Sequence, residues 1–152
     1  MKLAEALILR ADNQRRIEQL KQRIVQNAIT QEGSDPAEDP NALVQEMERT
    51  ADDLATLIQQ INATNSSATL DDGTTLSAAL ARRDVLKLKH AIYRDAAQAA
   101  SQTGNRYMRS ELRMTPQIDV ATIQQRADDL AREHRELDTR IQETNWRTDL
   151  IE

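Results

Sequence analysis

The chain has 152 residues, contains no cysteine and carries a formal net charge of −5. The absence of cysteine excludes disulfides, thiolate metal sites and thiol nucleophiles, and the acidic balance argues against a nucleic-acid-binding role for the chain as a whole. With three glycines, three prolines, one Trp, two Tyr and no Phe, the composition favours long helices packed through aliphatic side chains over a β-sheet.

The first half of the sequence predicts two helices joined by a loop. The first covers about residues 2–28, and its start, "MKLAEALILR", is too short and too polar for a signal peptide or a membrane span. The loop "TQEGSDPAEDPN" ends with Asp39 and Pro40, a good N-cap and first-turn pair. A second helix is therefore expected over about residues 40–62. Its inward-facing seam comprises Leu43, Met47, Thr50, Leu54, Leu57, Ile61 and Asn65.

The third predicted helix covers about residues 76–100, after the capping candidate Thr75. It is apolar on two sides: one side carries Leu76, Ala79, Leu86, Tyr93 and Ala97, and the other carries Ala81, Val85, Leu88, Ile92, Ala96 and Ala99. A helix with two apolar faces is packed from both sides. We therefore expect it to lie centrally or at a subunit interface.

The fourth predicted helix covers about residues 119–146, with Asp119 as its N-cap. Its seam comprises Ile123, Ala127, Leu130, His134, Leu137 and Ile141. Between the third and fourth helices, apolar and polar residues alternate near residues 106–115. A period of two predicts a short extended or β-hairpin arm, which could pair with the same segment of another subunit.

Two short sequences recur in the chain. "ADDLA" occurs at residues 51–55 and 127–131, and the similar endings "INATN" and "IQETN" occur at residues 61–65 and 141–145. The two ADDLA copies are offset by 76 residues and the two endings by 80 residues, so the two offsets differ by about one helical turn. Convergence of Ala/Asp/Leu-rich helices is favoured over duplication. Helical phase places the second aspartate of each ADDLA copy away from the seam, which favours solvated carboxylates over a metal or acid–base site.

The predicted architecture is all-α, with two long antiparallel helical hairpins forming a four-helix bundle or coiled-coil-like domain over residues 1–152. No catalytic motif, metal site or cofactor site is found, and neither histidine follows the Glu-x-x-His pattern of di-iron bundles. Polar residues nevertheless occupy seam positions: Arg10, Asn13, Asn27, His90 and His134. They could form a small pocket with a histidine as proton donor or acceptor. A hydrogen-bond network that fixes register or oligomeric state is the favoured interpretation.

The segment from residue 76 to 115 is basic, although the chain as a whole is acidic: it contains eight Lys or Arg residues and three Asp or Glu residues. The candidate basic stripe comprises Arg82, Arg83, Lys87, Arg106, Arg109 and Arg113. It could bind RNA or a membrane surface. It could also meet the acidic stretch around residues 32–53 of another protomer, and this self-association is favoured.

Four stretches carry a resemblance to a known family: "MKLAEALILRAD", "ALARRDVLKLK", "RYMRSELRM" and "DDLAREHRELDTRIQETNW". They resemble a family of small, uncharacterised bacterial helical proteins, some of which are labelled septicolysin-like. The resemblance extends over nearly the whole chain, and its C-terminal stretch is the most specific. It implies an all-helical homo-oligomer without an established activity, so it provides no catalytic residues. The septicolysin-like label implies pore formation.

From these observations we expect a non-enzymatic, self-associating structural or interaction module in the cytoplasm. The expected partner is a second copy of the chain, in a dimer or a higher homo-oligomer such as a hexamer. The first alternative is a nucleic-acid-binding accessory protein that uses the basic stripe, and the second is a septicolysin-like membrane-active protein. An enzyme built on the polar seam is the least supported hypothesis.

Overall fold

The computed structural model of the protein describes residues 1–102 and 114–152. Within these ranges the chain forms four helices: α1 (Leu3–Asn27), α2 (Pro40–Ser67), α3 (Leu76–Ser101) and α4 (Val120–Arg147). The described residues contain no strand, only isolated bridge residues: Lys2 and Asp149 pair in antiparallel orientation, and Thr69 and Thr75 also have bridge geometry. The predicted all-α class is confirmed. The extended arm falls almost entirely outside the described residues, and residues 114–115, at its end, have no regular structure.

Side-chain caps fix the start of three helices. The Asp39 carboxylate accepts a hydrogen bond from the Asn41 amide (3.0 Å) ahead of α2, where Pro40 occupies the first turn. The Thr75 hydroxyl accepts from the Ala78 amide (3.2 Å) at the start of α3. Ahead of α4, the Asp119 carboxylate accepts from the Thr122 hydroxyl (2.8 Å). These contacts engage polar groups of the first turn, whose amides lack partners within the helix.

Helix α2 is longer than its sequence indicates, since it continues to Ser67 instead of ending near residue 62. The hydroxyls of Thr64, Ser66 and Ser67 each donate to the carbonyl four residues earlier, at 2.8, 2.9 and 3.1 Å. The polar residues at this end therefore bond to the helix itself and do not interrupt it. The chain turns afterwards at Gly73, whose φ of 81° lies in the left-handed region that glycine tolerates.

The chain divides into two compact units, and the first comprises residues 1–69 and 144–152. In unit 1, α1 and α2 form an antiparallel hairpin. The Arg16 Nε atom lies 3.0 Å from Glu46 Oε1. Closer to the loop, the Arg23 Nε atom lies 3.0 Å from Glu38 Oε2. The buried apolar residues of the hairpin are Leu3, Ala4, Ala6 and Leu20 on α1 and Leu43, Leu57 and Ile61 on α2.

The ends of the chain also belong to unit 1. The Leu3 amide donates to the Thr148 carbonyl, and the Leu150 amide donates to the Met1 carbonyl, each at 2.9 Å. Next to them, the Ile151 amide donates to the hydroxyl of the buried Thr64 (3.0 Å). These bonds tie the first and last residues of the chain to the end of the first hairpin.

Unit 2 comprises residues 70–143, which include α3 and most of α4. The Arg83 Nη1 atom lies 2.8 Å from Asp138 Oδ1, and the Arg140 Nη2 atom lies 2.6 Å from Asp72 Oδ2. Asp72 precedes Arg83 in the chain, but its partner Arg140 follows Asp138, the partner of Arg83. The two helices therefore run antiparallel. The buried apolar residues of unit 2 are Leu70, Leu76, Ala79, Leu86, Ala97, Ala127, Leu130, Leu137 and Ile141. The single domain over residues 1–152 stays a prediction.

The two hairpins form a structural repeat. Helices α2 and α4 both contain 28 residues and are offset by 80, the offset of the "INATN" and "IQETN" endings and not that of the ADDLA copies. Thr64 and Thr144 are buried at equivalent positions. The Ala68 amide donates to the Thr64 carbonyl (2.8 Å), just as the Thr148 amide donates to the Thr144 carbonyl (2.9 Å). The two second helices therefore end in the same way.

The first helices of the two hairpins also correspond. Residues 3–10 and 76–83 share the pattern Leu-x-x-Ala-Leu-x-x-Arg with an offset of 73. The first leucine and the alanine of the pattern are fully buried in both helices. Helices α1 and α3 therefore occupy equivalent positions in the two hairpins.

Candidate interaction surface

The five polar seam residues fall in different units. Arg10, Asn13 and Asn27 lie on α1 in unit 1, whereas His90 and His134 lie on α3 and α4 in unit 2. Asn27 is buried, and the other four are half-buried. The interpretation of these residues as a ligand pocket or as a register-fixing network stays a prediction.

Asn27 shows how one seam residue is used. Its Nδ2 atom donates to the Arg23 carbonyl (2.8 Å), and its Oδ1 atom accepts from the Glu38 amide (3.0 Å). The Arg23 side chain in turn pairs with the Glu38 carboxylate, which raises the pKa of Arg23 and lowers the pKa of Glu38. Asn27 and Arg23 therefore join the end of α1 to the segment that leads into α2.

The aspartates of the two ADDLA copies do not form a cluster with metal-binding geometry. In α4, the Gln124 side chain donates to Asp128 (3.1 Å), and the Gln125 and Arg132 side chains donate to Asp129 (3.2 Å each). Across residues 1–102 and 114–152, no group of three or more His, Asp or Glu side chains is placed to hold a metal ion.

The basic stripe is only partly described. Arg82 and Lys87 are exposed on α3, whereas Arg83 is half-buried and bonded to Asp138. Five residues separate Arg82 from Lys87, which places them about 140° apart around the helix at 3.6 residues per turn. Arg106, Arg109 and Arg113 lie outside the described residues. The continuous stripe stays a prediction.

The most distinctive exposed surface is the outer face of α3, defined here as Ala81, Val85, Leu88 and Ile92. Val85 is 50%, Leu88 62% and Ile92 60% exposed, although each would normally be buried. The buried residues Ala79, Leu86 and Ala97 lie on the opposite side of the helix. The prediction that α3 lies centrally, with both faces packed within one chain, is wrong because the second apolar face is open to solvent. The subunit-interface alternative stays a prediction.

The repeat shows that the hairpin does not require this apolar face. With the offset of 73, the positions on α1 equivalent to Val85, Leu88 and Ile92 are Asp12, Arg15 and Gln19. All three are exposed, and Asp12 and Arg15 form an ion pair. Three of the four positions of this face are therefore polar in α1 and apolar in α3. The fourth, Ala81, corresponds to Ile8, which is apolar and 55% exposed on α1.

Charged residues flank the outer face of α3 asymmetrically. At 3.6 residues per turn, Arg82 and Lys89 lie on one flank and Asp84 lies on the other, while Asp95 lies at the end of the apolar row. All four side chains are exposed. Asp95 is bonded to its neighbour Arg94, with 3.1 Å between Arg94 Nη2 and Asp95 Oδ1. The surface thus has an apolar centre, one basic flank and one acidic flank.

A shallow depression of about 450 Å³ lies over the first turns of α4 and is lined by Ala121, Thr122, Gln125, Arg126 and Asp129. Arg126 also contacts the Glu133 carboxylate (3.2 Å). Its lining carboxylate, Asp129, accepts hydrogen bonds from the Gln125 and Arg132 side chains (3.2 Å each).

Sequence reasoning did not single out Thr64, Thr144 and Asn145, which are buried polar residues. The repeated Ile-x-x-Thr-Asn pattern at residues 61–65 and 141–145 was the signal that could have identified them. Thr64 donates its hydroxyl to the Gln60 carbonyl (2.8 Å) and accepts from the Ile151 amide. These two hydrogen bonds give Thr64 a structural role.

None of the four helices, within the ranges that the structure describes, combines the length and the apolar character that crossing a membrane requires. No curated protein matches the sequence. The chain is similar to a crystal structure of a functionally unknown conserved protein from Corynebacterium diphtheriae, with 40% identity, 99% of each chain covered and a TM-score of 0.95. Residues 10–150 match the family of unknown function DUF6847. The expected membership in a family without an established activity is thereby confirmed: the chain belongs to the family of unknown function DUF6847.

Proposed function

We propose that the protein is a non-enzymatic, cytoplasmic interaction module that self-associates through the outer face of α3. The observation that carries this proposal is the contrast between the two copies of the hairpin. Val85, Leu88 and Ile92 are apolar and exposed on α3, whereas the equivalent residues of α1 are polar.

The energetic reason for association is burial of this face. Complete burial of a Val, Leu or Ile side chain contributes about 1.5–3 kcal/mol relative to exposure. Two copies that cover the outer face of each other would remove six such side chains from water. A second copy is the occupant that the surface fits, because the basic flank of one molecule complements the acidic flank of the other.

Sedimentation velocity over a range of protein concentrations tests the proposal. The wild-type protein is expected to form at least a dimer. A variant with Val85→Asp, Leu88→Arg and Ile92→Gln copies the α1 residues onto α3 and is expected to be monomeric. Because α1 folds with these residues, the circular dichroism spectrum and melting temperature of the variant should stay close to those of the wild type.

A matched control removes exposed apolar residues elsewhere. Val25 and Ile29 are 68% and 87% exposed near the end of α1, and changing both to Gln should leave the association unchanged. A wild-type protein that stays monomeric at every concentration, or a triple variant that still associates, would contradict the proposal.

The alternatives have outcomes of their own. A nucleic-acid-binding role predicts salt-sensitive retention of RNA that decreases when Arg82 and Lys87 are changed to Ala. A septicolysin-like membrane activity predicts dye release from anionic vesicles that the triple α3 variant abolishes. Either result, obtained with a monomeric wild-type protein, would replace self-association as the function of this surface.

A further inference from the structure

The spacing on the outer face of α3 is that of a two-stranded coiled coil. Ala81, Val85, Leu88 and Ile92 are separated by four, three and four residues, which is the alternation of the inward-facing a and d positions of a heptad. In this assignment Val85 and Ile92 occupy a positions and Ala81 and Leu88 occupy d positions. Among parallel coiled coils, β-branched residues at a and Leu at d favour two strands over three or four.

The flanking charges distinguish the two possible orientations of such a pair. In a parallel pair related by a two-fold axis along the helices, the basic flank of one helix faces the acidic flank of the other. In an antiparallel pair related by a perpendicular two-fold axis, flanks of the same kind face each other. Like charges brought together in this way would oppose association.

Individual residues follow the same rule. Asp84 and Lys89 lie on opposite flanks and are five residues apart, which is the separation of the g and e positions that pair between parallel helices. A parallel pair therefore places Asp84 of each copy beside Lys89 of the partner subunit, giving two equivalent ion pairs. An antiparallel pair instead places Arg82 near Lys89 of the partner subunit.

The apolar contact has a defined end. Asp95 follows Ile92 at the next inward-facing position, where two copies in parallel orientation would bring two carboxylates together. The close contact is therefore expected to span residues 81–92, a length of about 16 Å at 1.5 Å per residue. Beyond Ile92 the two helices are expected to diverge.

We propose that two copies of this chain associate through parallel α3 helices, with each residue of the outer face opposite the same residue of the partner and with Asp84 paired to Lys89 of the partner subunit. This inference rests on the proposed self-association. It adds the orientation and the register of the contact.

Disulfide cross-linking tests the orientation, because the chain has no cysteine of its own. Two single variants, Ala81→Cys and Ile92→Cys, are oxidised separately and as an equimolar mixture. A disulfide requires Cα atoms about 4.4–6.8 Å apart. The parallel pair brings position 81 close to position 81 and position 92 close to position 92, but it keeps position 81 far from position 92.

The expected result is a covalent dimer of each variant alone, and a mixture that contains the two homodimers without the mixed dimer. Intact-mass measurement separates these species because the two substitutions change the mass differently. As a control, Gln19→Cys, which occupies the position on α1 equivalent to Ile92, should not form covalent dimers.

A mixed dimer of the two variants without the homodimers would show an antiparallel pair and overturn the inference. The absence of all cross-links would also overturn it, provided that both variants associate under reducing conditions. Sedimentation velocity of the reduced variants separates these outcomes from failure of the proposed function, which would appear as a monomer before any oxidation.

Discussion

Asn27 closes the first hairpin with two hydrogen bonds that an aliphatic side chain at the same seam position could not make. Its side-chain Nδ2 atom donates to the Arg23 backbone carbonyl, and its side-chain Oδ1 atom accepts from the Glu38 backbone amide. Because these bonds join the end of α1 to the residues that precede α2, they fix where the chain reverses. At this position, the polar residue in the seam has a structural explanation.

Changing Asn27 to Ala is expected to lower the free energy of unfolding by about 1–2 kcal/mol, since the Glu38 amide loses its acceptor close to a buried site. Urea denaturation monitored by circular dichroism measures the change. The exposed neighbour Gln26, changed to Ala, is the control and should alter the stability by less than about 0.5 kcal/mol. Equal stability of the two variants would show that Asn27 does not hold the hairpin together.

Residue identity alone could not show which polar residues are buried. Asn27 occupies a seam position and is buried, whereas His90 and His134, also assigned to seams, are half-buried. The burial of Thr64 was not predicted. Its hydroxyl donates to the Gln60 carbonyl of its own helix, so the buried hydroxyl has a partner that the sequence does not show. Helical periodicity gives the direction of a side chain, but the depth at which it lies depends on the neighbouring elements.

At the scale of single elements, the helix starts were predictable because their signals are local. Asp39, Thr75 and Asp119 each make a side-chain hydrogen bond within the first turn that follows. The end of α2 was not predictable to the same accuracy. A run of Asn, Ser and Thr is typical of a loop. Here the hydroxyls of Ser66 and Ser67 donate to the backbone carbonyls four residues earlier, and the helix continues.

Helix α3 illustrates a further limit. Its sequence correctly indicates two apolar faces, but periodicity cannot show what covers each of them. The structure places Leu86 inside unit 2 and leaves Val85 and Leu88 exposed. The comparison with α1 was needed to show that the fold tolerates polar residues at these positions. This comparison depends on the helical repeat, whose two different offsets obscure it in the sequence.

At the scale of the whole molecule, carboxylates that accept hydrogen bonds make folding sensitive to acid. Hydrogen-bond donors lower the pKa of four carboxyl groups: Glu38 beside Arg23, Asp72 beside Arg140, Asp119 beside Thr122 and Asp149 beside Lys2. Each group is less readily protonated in the folded chain than in the unfolded chain. Their contribution to stability is therefore present above the unfolded pKa values and is lost as the pH falls through the folded values.

The urea midpoint is accordingly expected to fall as the pH decreases below about 4, near the unperturbed values of Asp and Glu. Asp72→Asn should make this fall shallower, because the pKa of Asp72 is lowered by the Arg140 hydrogen bond and by the Thr74 amide. The exposed Asp52, changed to Asn, is the charge-matched control. An identical acid dependence in the two variants would contradict the role assigned to the Asp72–Arg140 pair.

The central claim is that a second copy of the chain covers the outer face of α3, and methyl NMR with a water-soluble paramagnetic probe tests it most directly. At concentrations where the protein is associated, the methyl groups of Val85, Leu88 and Ile92 are expected to be protected from the probe, and dilution should expose them. Val25 and Ile29 should be broadened at every concentration. Methyl groups of Val85, Leu88 and Ile92 that stay fully broadened in the associated protein would contradict the account.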